Sequence, residues 1–417
     1  MMFHIAIEST IFNSIPNLRS QLLKGECDLF PNLVGKKGGH FSMKVLDDFI
    51  KEEVSHSSFT LTSNLNRSVL TLSSGERKKA LLHHLISSKP DFLLIENPFD
   101  ALDVASVQQL KSHLEELSKT ISIVLVFNRK QDILSFIDTI LVDNNKKALP
   151  VSKDVYLNDN KPIFNTVLEI AVPKSLKVFK DTPSELISFE NVNVSYDDRK
   201  ILNDINWTIK KGEFWELRGE NGSGKSTLLT MINGDNPKAY GQNIRIFGKQ
   251  KGSGESVWDI KQKIGYFTPA MMDLFDGNHT VLNMVISGLK DSIGLYVQST
   301  ELEIHLANEW LQLINLSDKK AQKFRDLNEN EKRLVLIARA MIKQPPLLIL
   351  DEPTVGLNDE NAFMFAQLIN AIALNSDTAI LYVSHRKEIG LAPSYVFQLQ
   401  TSANGSVGTA HFNELAR

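Results

Sequence analysis

The chain has little cysteine and no long apolar run, and both absences limit what it can be. Its 417 residues include one cysteine, Cys27, so no disulfide can form within the chain and a reducing cytoplasm is expected. No stretch approaches the roughly 18 consecutive apolar residues of a membrane-spanning helix. The N-terminus also lacks the basic start and apolar core of a secretion signal. We therefore expect a cytoplasmic protein with no transmembrane segment of its own.

An excess of charge of one sign is also missing. The formal net charge of −3 gives no general attraction to nucleic acid or to anionic lipid. Apolar residues make up 42% of the chain and charged residues 23%, the balance of a globular rather than a disordered protein. The length is sufficient for two ordinary domains, each with its own core.

What the chain does contain is an internal repeat. The segment LSSGERKKALL, which begins at Leu72, matches LNENEKRLVLI, which begins at Leu327, and the same shift of 255 residues pairs Glu96 with Asp351. In each copy a helical apolar pattern leads to a buried strand, a second helix and another buried strand. Helices that alternate with fully apolar strands predict an α/β fold with parallel sheets covered on both faces.

The repeat divides the chain into three predicted parts. Residues 1–150 hold a degenerate first copy, and residues 185–417 hold a complete second copy. Residues 151–184, rich in Lys, Asp, Asn and Pro, are interpreted as a connector. Residues 1–65 are interpreted as the remnant of an eroded start of the first copy, retained for packing.

Residues 219–227 read GENGSGKST, a full match to the phosphate-binding pattern G-x-x-x-x-G-K-[ST], between a strand-like FWEL and a helical TLLTMI. The backbone N–H groups of such a loop face inward, and the following helix directs its positive end toward the same phosphates. Lys225 is predicted to bridge the β- and γ-phosphates and Ser226 to bind Mg²⁺. The nucleotide-binding residues predicted here are Gly219, Asn221, Gly222, Gly224, Lys225, Ser226 and Thr227.

Two adjacent acids end the apolar run LLILDE. Asp351 is predicted to hold Mg²⁺ and Glu352 to polarise an attacking water, because buried adjacent carboxylates are costly without a cation and solvent. His385 ends the next predicted strand, where an imidazole would contact the γ-phosphate; a satisfied core or surface histidine is the alternative. Tyr196, which lies 23 residues before Gly219, is a candidate for stacking on adenine, with core packing as the alternative.

Together GENGSGKST, LLILDEP, LSSGE and VSH resemble the ATP-binding-cassette ATPases. The resemblance covers most of residues 65–417 and extends, through TLSSGERKKALL and YDDRKILNDINW, to the two-cassette ModF group, which is named for molybdenum transport and for photorepair. It implies two tandem cassettes of the P-loop NTPase fold and hydrolysis of ATP with Mg²⁺. In this family each ATP lies between the phosphate loop of one cassette and the signature of the other, so LSSGE would contribute Ser73 and Gly75.

The first copy departs from the family pattern. It has no G-x-x-x-x-G-K-[ST], and with 71 residues before Leu72 we expect a truncated cassette without a complete nucleotide-binding core. Asn97 replaces the water-polarising glutamate, and Asn128 replaces the histidine at the end of the next strand. The second signature, LNENE, has Glu329 and Asn330 where a small residue and glycine are needed. The intact parts therefore combine into one working site per chain.

The sequence favours an ATPase subunit that docks on a separate membrane permease at the inner face of the membrane. The family name suggests molybdate or a related oxyanion as cargo, and Pro269 with the segment 270–300 is the expected contact zone. Pro269 stands where many cassettes carry a glutamine that contacts Mg²⁺ and water, so slow hydrolysis is expected. An ATP-gated switch on a soluble partner and a ribosome-associated or repair protein are the alternatives. The short connector of mixed charge counts against the ribosome.

Overall fold

The computed structural model describes residues 2–56, 59–63, 68–144, 147–158, 171–275 and 278–413. The chain divides into two compact units, the first formed by Met1–Asn165 with Gly356–Glu360 and the second by Thr166–Val355 with Asn361–Arg417. Residues 159–170 of the predicted connector lie outside the described residues. No described helix has the length and apolar character needed to cross a membrane.

The first unit alternates short strands with helices. In chain order its elements are β1 (His4–Glu8), α1 (Ser9–Ser14), α2 (Leu18–Lys24), β2 (Gly38–Phe41), α3 (Met43–His56), α4 (Ser74–Ser87), β3 (Phe92–Glu96), α5 (Val104–Ser118), β4 (Ser122–Phe127), β5 (Thr139–Asn144), β6 (Lys147–Ser152) and α6 (Lys153–Asn158). Its strands form one sheet in the order β2-β3-β4-β1-β5-β6. All neighbouring pairs are parallel except β5 with β6.

The sheet of the first unit is covered on both faces, as the apolar strands predict. Leu93 and Ile95 of β3 contribute to the core under α4 and α5, whereas Leu94 points to the opposite core, to which α1 and α2 contribute. This alternation follows from the two-residue period of a strand, and it explains why the strand reads as a continuous apolar run.

The second unit contains two sheets. In chain order its elements are β7 (Glu185–Tyr196), β8 (Arg199–Lys210), β9 (Phe214–Arg218), α7 (Lys225–Ile232), β10 (Ile244–Ile246), β11 (Lys249–Gln250), α8 (Val257–Lys261), β12 (Ile264–Phe267), α9 (Met271–Leu274), α10 (Val281–Ser287), α11 (Glu301–Leu313), α12 (Glu329–Met341), β13 (Leu347–Asp351), α13 (Asp359–Asn375), β14 (Ala379–Val383), β15 (Tyr395–Gln400) and β16 (Val407–Phe412). The antiparallel sheet has the order β11-β10-β7-β8, and the other sheet has the order β12-β13-β14-β9-β15-β16.

The strand order of the second sheet determines where the site forms. Strands β13, β14 and β9 are parallel neighbours, so their carboxyl ends meet at one edge. The phosphate loop follows β9, the paired acids end β13, and His385 follows β14. The predicted α/β fold with buried parallel strands is thus confirmed.

Both units share one parallel-sheet topology. Strand β1 lies between β4 and β5, as β9 lies between β14 and β15. The residues before Leu72 therefore hold β1 and β2, which give the first unit the full six-strand order. Among the described residues of the first unit, no antiparallel sheet corresponds to the one formed by β7, β8, β10 and β11. The start of the predicted connector forms the end of β6 and all of α6.

Candidate nucleotide site and signature

The phosphate loop depends on three glycines for two different reasons. Gly222 and Gly224 have φ values of +80° and +97°, in the left-handed region that a side chain disfavours. Gly219 leaves little room for a side chain, because an added Cβ would lie 2.5 Å from the hydroxyl of Ser223, 3.0 Å from the Cβ of Leu399 and 3.2 Å from its carbonyl oxygen. The backbone therefore curls tightly between β9 and α7, as an anion-binding loop requires.

Lys225 begins α7 and extends across this loop. Its Nζ donates hydrogen bonds to the carbonyl oxygens of Gly219 at 2.7 Å and Glu220 at 2.9 Å. Only 8% of the residue is exposed, and a buried ammonium held by neutral carbonyls is well placed to exchange them for phosphate oxygens. Ser226 is exposed and Thr227 half-buried on the first turn of the helix. Asn221 is half-buried within the loop.

The paired acids lie at the end of β13. Burial raises the pKa of Asp351, although the Tyr266 hydroxyl and the charge of Lys225 oppose the shift. Burial, together with the adjacent charge of Asp351, raises the pKa of Glu352 to about 8. Glu352 has a left-handed φ of +51°, and its N–H donates to the carbonyl of Val383 at 2.9 Å. Two carboxyls this close repel each other when both are ionised, so the site favours a cation that binds between them.

Two side chains approach these acids. Nε2 of His385 lies 3.3 Å from Oε1 of Glu352, so the structure brings these two predicted residues together. That oxygen nevertheless accepts no hydrogen bond from any residue in the described part of the chain. The hydroxyl of Tyr266 donates to Oδ2 of Asp351 at 3.5 Å. Tyr266 was not predicted, because its approach follows only from the pairing of β12 with β13.

Tyr196 ends β7 and keeps 40% of its surface exposed, which disfavours the core alternative. Its hydroxyl accepts a hydrogen bond at 2.9 Å from the side chain of Asn236, which also bonds Thr230 of α7. The ammonium of Lys238 lies 5.7 Å from the ring centroid. The tyrosine is thus fixed to the phosphate-loop helix, and adenine stacking on it stays a prediction.

A further basic residue near the loop was missed by the sequence interpretation. Arg199, at the start of β8, has a guanidinium nitrogen 3.6 Å from the position that a Cβ on Gly222 would take. An exposed guanidinium at this distance from a phosphate loop is suited to contact phosphate oxygens. No motif in the sequence identifies it.

The first signature forms the start of α4. The Ser73 hydroxyl accepts from the Glu76 N–H at 3.3 Å, and the Glu76 carboxylate accepts from the Ser73 N–H at 2.8 Å, which is a capping box. A hydroxyl that accepts one bond can still donate its proton. An added Cβ on Gly75 would lie 3.1 Å from the Ser106 hydroxyl, so the helix start packs closely on α5.

The second signature forms the start of α12 in a different way. Asn328 caps this helix through Glu331, and the Asn330 side chain donates to Asn361 at 3.1 Å. Glu329 is exposed on the first turn. The glycine position is therefore occupied by a side chain that is already hydrogen-bonded, and the inactivity of this signature stays a prediction.

The raised pKa of Glu352 predicts how stability depends on pH. The Glu352 carboxyl has a pKa of about 8 in the nucleotide-free fold, against an ordinary value of 4.5 in the unfolded chain. Its contribution to the free energy of unfolding is fully present below pH 4.5 and is lost as the pH rises through about 8. The shift corresponds to about 5 kcal/mol. Glutamine does not titrate, so Glu352→Gln should not lose this stability as the pH rises. We therefore expect the melting temperature of the variant to exceed that of the wild type by a margin that grows between pH 5 and pH 8. Parallel melting curves for the two proteins across this range would contradict the assignment.

A glycine loop that opens a helix, with paired acids at the end of a parallel strand beside it, defines a P-loop nucleoside triphosphatase. The family model described as ABC transporter matches residues 202–355. The ABC transporter ATP-binding protein ModF of Escherichia coli is 36% identical over 341 residues, which cover 79% of this chain and 70% of that protein. An uncharacterized ABC transporter ATP-binding protein of Schizosaccharomyces pombe is 34% identical, with 79% and 68% covered. The chain belongs to the ABC transporter ATP-binding protein family, in the group that includes ModF, and it is an ATPase of that family.

Solved structures agree with this fold. Archaeal ABCE1, in a model of ribosome-bound archaeal Pelota and ABCE1, superposes with a TM-score of 0.66 over 98% of this chain and 75% of that chain. The archaeal ribosome recycling factor aABCE1, in complex with the stalk protein aP1, gives a TM-score of 0.60 over 99% and 86%. Both are 15% identical to this chain, so the likeness concerns the fold alone.

Proposed function

We propose that the chain hydrolyses ATP at a single composite site, which combines the phosphate loop of residues 185–417 with the signature of residues 1–150. The observation that carries the proposal is the group at one sheet edge of the second unit: Lys225 across its loop, and Glu352 with an Oε1 that accepts no hydrogen bond from any described residue. Ser73 and Gly75 would close the site on the γ-phosphate, because theirs is the signature with a small, uncharged helix start.

Each residue has a proposed role. Lys225 and the loop N–H groups bind the phosphates, and Tyr196 stacks on the adenine. Glu352 accepts a proton from the attacking water in its ionised form, which the charge of a bound Mg²⁺ would favour, and His385 orients the γ-phosphate. Ser226 and Asp351 are suited to hold Mg²⁺, since an exposed hydroxyl and a half-buried carboxylate form an oxygen donor set for a hard cation. When bound, Mg²⁺ supplies charge that stabilises the transferring phosphoryl group.

We further propose that this ATPase serves transport from the cytoplasmic face of a membrane, through a separate permease. Among the described residues, the stretch from Pro269 to 300 exposes apolar side chains that suit such a contact, including Leu274, Ile293 and Tyr296; residues 276–277 of this stretch lie outside the description. The name of ModF suggests molybdate or a related oxyanion. Co-sedimentation with membranes that contain the permease supports this role, and co-sedimentation with ribosomes opposes it.

A switch that binds ATP and hydrolyses it very slowly is a second candidate, and Pro269 favours it. Its ring has no side-chain donor or acceptor for water at the place where many cassettes have glutamine. Steady-state phosphate release separates the two functions, because a switch binds ATP tightly without turnover whereas an ATPase turns over repeatedly.

Nucleotide stoichiometry tests the single site. Only the second unit has a phosphate loop among the described residues, so we expect one nucleotide per chain in equilibrium dialysis with ATP and Mg²⁺. Lys225→Ala should abolish this binding, since the buried ammonium is lost from the phosphate site. Two tightly bound nucleotides per chain, or one that persists in Lys225→Ala, would refute the proposal.

A further inference from the structure

The sheet edge of the first unit holds an acid in the same place as Asp351. Strand β2 pairs with β3 as β12 pairs with β13, with His40 opposite Leu94 and Tyr266 opposite Ile349. Glu96 ends β3 where Asp351 ends β13. His40 thus corresponds to Tyr266, and each contacts the acid at the end of the neighbouring strand.

The two acids differ in what surrounds them. Arg19, near the start of α2, donates through Nε and Nη2 to the two oxygens of Glu96 at 2.7 and 2.8 Å. Nε2 of His40 lies 2.6 Å from Oε1 of the same carboxylate. These three residues form what we call the Glu96 ion cluster. Burial opposes ionisation of Glu96, but the hydrogen bonds from His40 and Arg19 outweigh it and lower the pKa of the carboxyl.

In the first unit, the Glu96 ion cluster lies at the strand end that corresponds to the predicted Mg²⁺ site of the second unit. In the first unit β1 runs directly into α1 at Ser9, with no phosphate loop between them. The side chain of Glu96 is only 13% exposed, so it needs positive charge, and a two-pronged guanidinium provides it from within the chain.

A short path joins this cluster to the first signature. Directly after Glu96 the chain turns at Asn97, whose N–H donates to the carbonyl of Val126 at 2.9 Å. Lys78, one turn into the signature helix α4, donates to the carbonyls of Pro98 at 2.8 Å and Asp100 at 2.6 Å. The signature helix α4 is therefore hydrogen-bonded to the turn that follows Glu96.

We infer that Arg19 and His40 are positioning residues for the reaction, which hold the turn after β3 and through it the signature at Ser73–Gly75. The inference rests on the proposed role of that signature in ATP hydrolysis. In the second unit a metal ion with its nucleotide can order the end of β13 on binding. In the first unit the cluster orders the corresponding strand end at all times, so the signature is already formed when nucleotide arrives.

The test compares five variants by kcat and by the nucleotide dissociation constant. Arg19→Gln leaves a nearly buried carboxylate with one partner, and we expect kcat to fall about tenfold, in the range of coupled neighbouring residues. The dissociation constant should stay within about twofold, because Lys225 and its loop are unchanged. Glu96→Gln breaks the same ion pair from the other side, so we expect a similar fall in kcat. Lys24→Gln, which removes an exposed charge from the same helix α2, is the matched control.

The double variant Arg19→Gln/Glu96→Gln decides whether the two residues act through one another. Because both single variants break the same ion pair, we expect kcat of the double variant to fall no further than in the more impaired single variant. A double variant with wild-type kcat, or with a loss equal to the product of the two single losses, overturns the inference, as does an Arg19→Gln variant with normal kcat. Gly75→Asp in the same assay separates the two proposals. If Gly75→Asp is fully active, the proposed role of the signature fails. If Gly75→Asp is impaired and Arg19→Gln is not, only the inference about Arg19 fails.

Discussion

Glu352→Gln is expected to lower kcat for ATP hydrolysis by roughly 10²- to 10⁴-fold, the range for loss of a general base. Glutamine keeps the shape of the side chain but cannot accept a proton from the attacking water. ATP binding should persist, because Lys225 and the loop glycines are untouched. The loss should therefore appear in kcat, with little change in the dissociation constant for ATP.

The measurement is phosphate release under saturating ATP and Mg²⁺, beside equilibrium binding of ATP. Glu329→Gln makes the same chemical change at an exposed acid of the second signature, and we expect it to keep wild-type turnover. Turnover within about twofold of wild type in Glu352→Gln would show that another group accepts the proton. Equal losses in both variants would point to a general effect of charge instead.

The sequence predicted those elements whose signals are local. The runs DFLLI, SIVLVF and PLLIL are almost entirely apolar because their strands are buried on both faces, and they contribute to β3, β4 and β13 as expected. The glycines of the phosphate loop were likewise identified, since a fixed spacing encodes their backbone geometry. Strand β1 was not foreseen, because HIAIE is short and runs directly into a helix.

Contacts between distant parts of the chain could not be predicted. Arg19 and Glu96 are 77 residues apart, and they meet only because α2 lies near the carboxyl end of β3. The bond from Tyr266 to Asp351 likewise requires the pairing of β12 with β13. The raised pKa of Glu352 depends first on burial, which a spacing pattern does not measure.

Gly75→Asp is expected to lower kcat by roughly 10²-fold, the cost of losing one preorganised donor that stabilises a transition-state anion. Gly75 is the second residue of α4, and a carboxylate there would repel the γ-phosphate and fill the space that backbone approach needs. Helix stability does not explain the loss, because an acid in the first turn interacts favourably with the helix dipole. The added Cβ meets the Ser106 hydroxyl at 3.1 Å, a contact that a small rotation of that side chain relieves.

Asn330→Asp provides the matched control for this change. Asn330 is the second residue of α12, as Gly75 is of α4, so the same acid enters the same helical position of the other signature. If one composite site works, Asn330→Asp leaves kcat within about twofold, because no reacting phosphate depends on that signature. ATP turnover of the two variants, with melting temperatures to verify folding, gives the comparison. Equal losses of kcat in the two variants would mean that both signatures act in hydrolysis. A fully active Gly75→Asp would mean that the first signature does not. Only a loss in Gly75→Asp without a loss in Asn330→Asp assigns the first signature to the reaction.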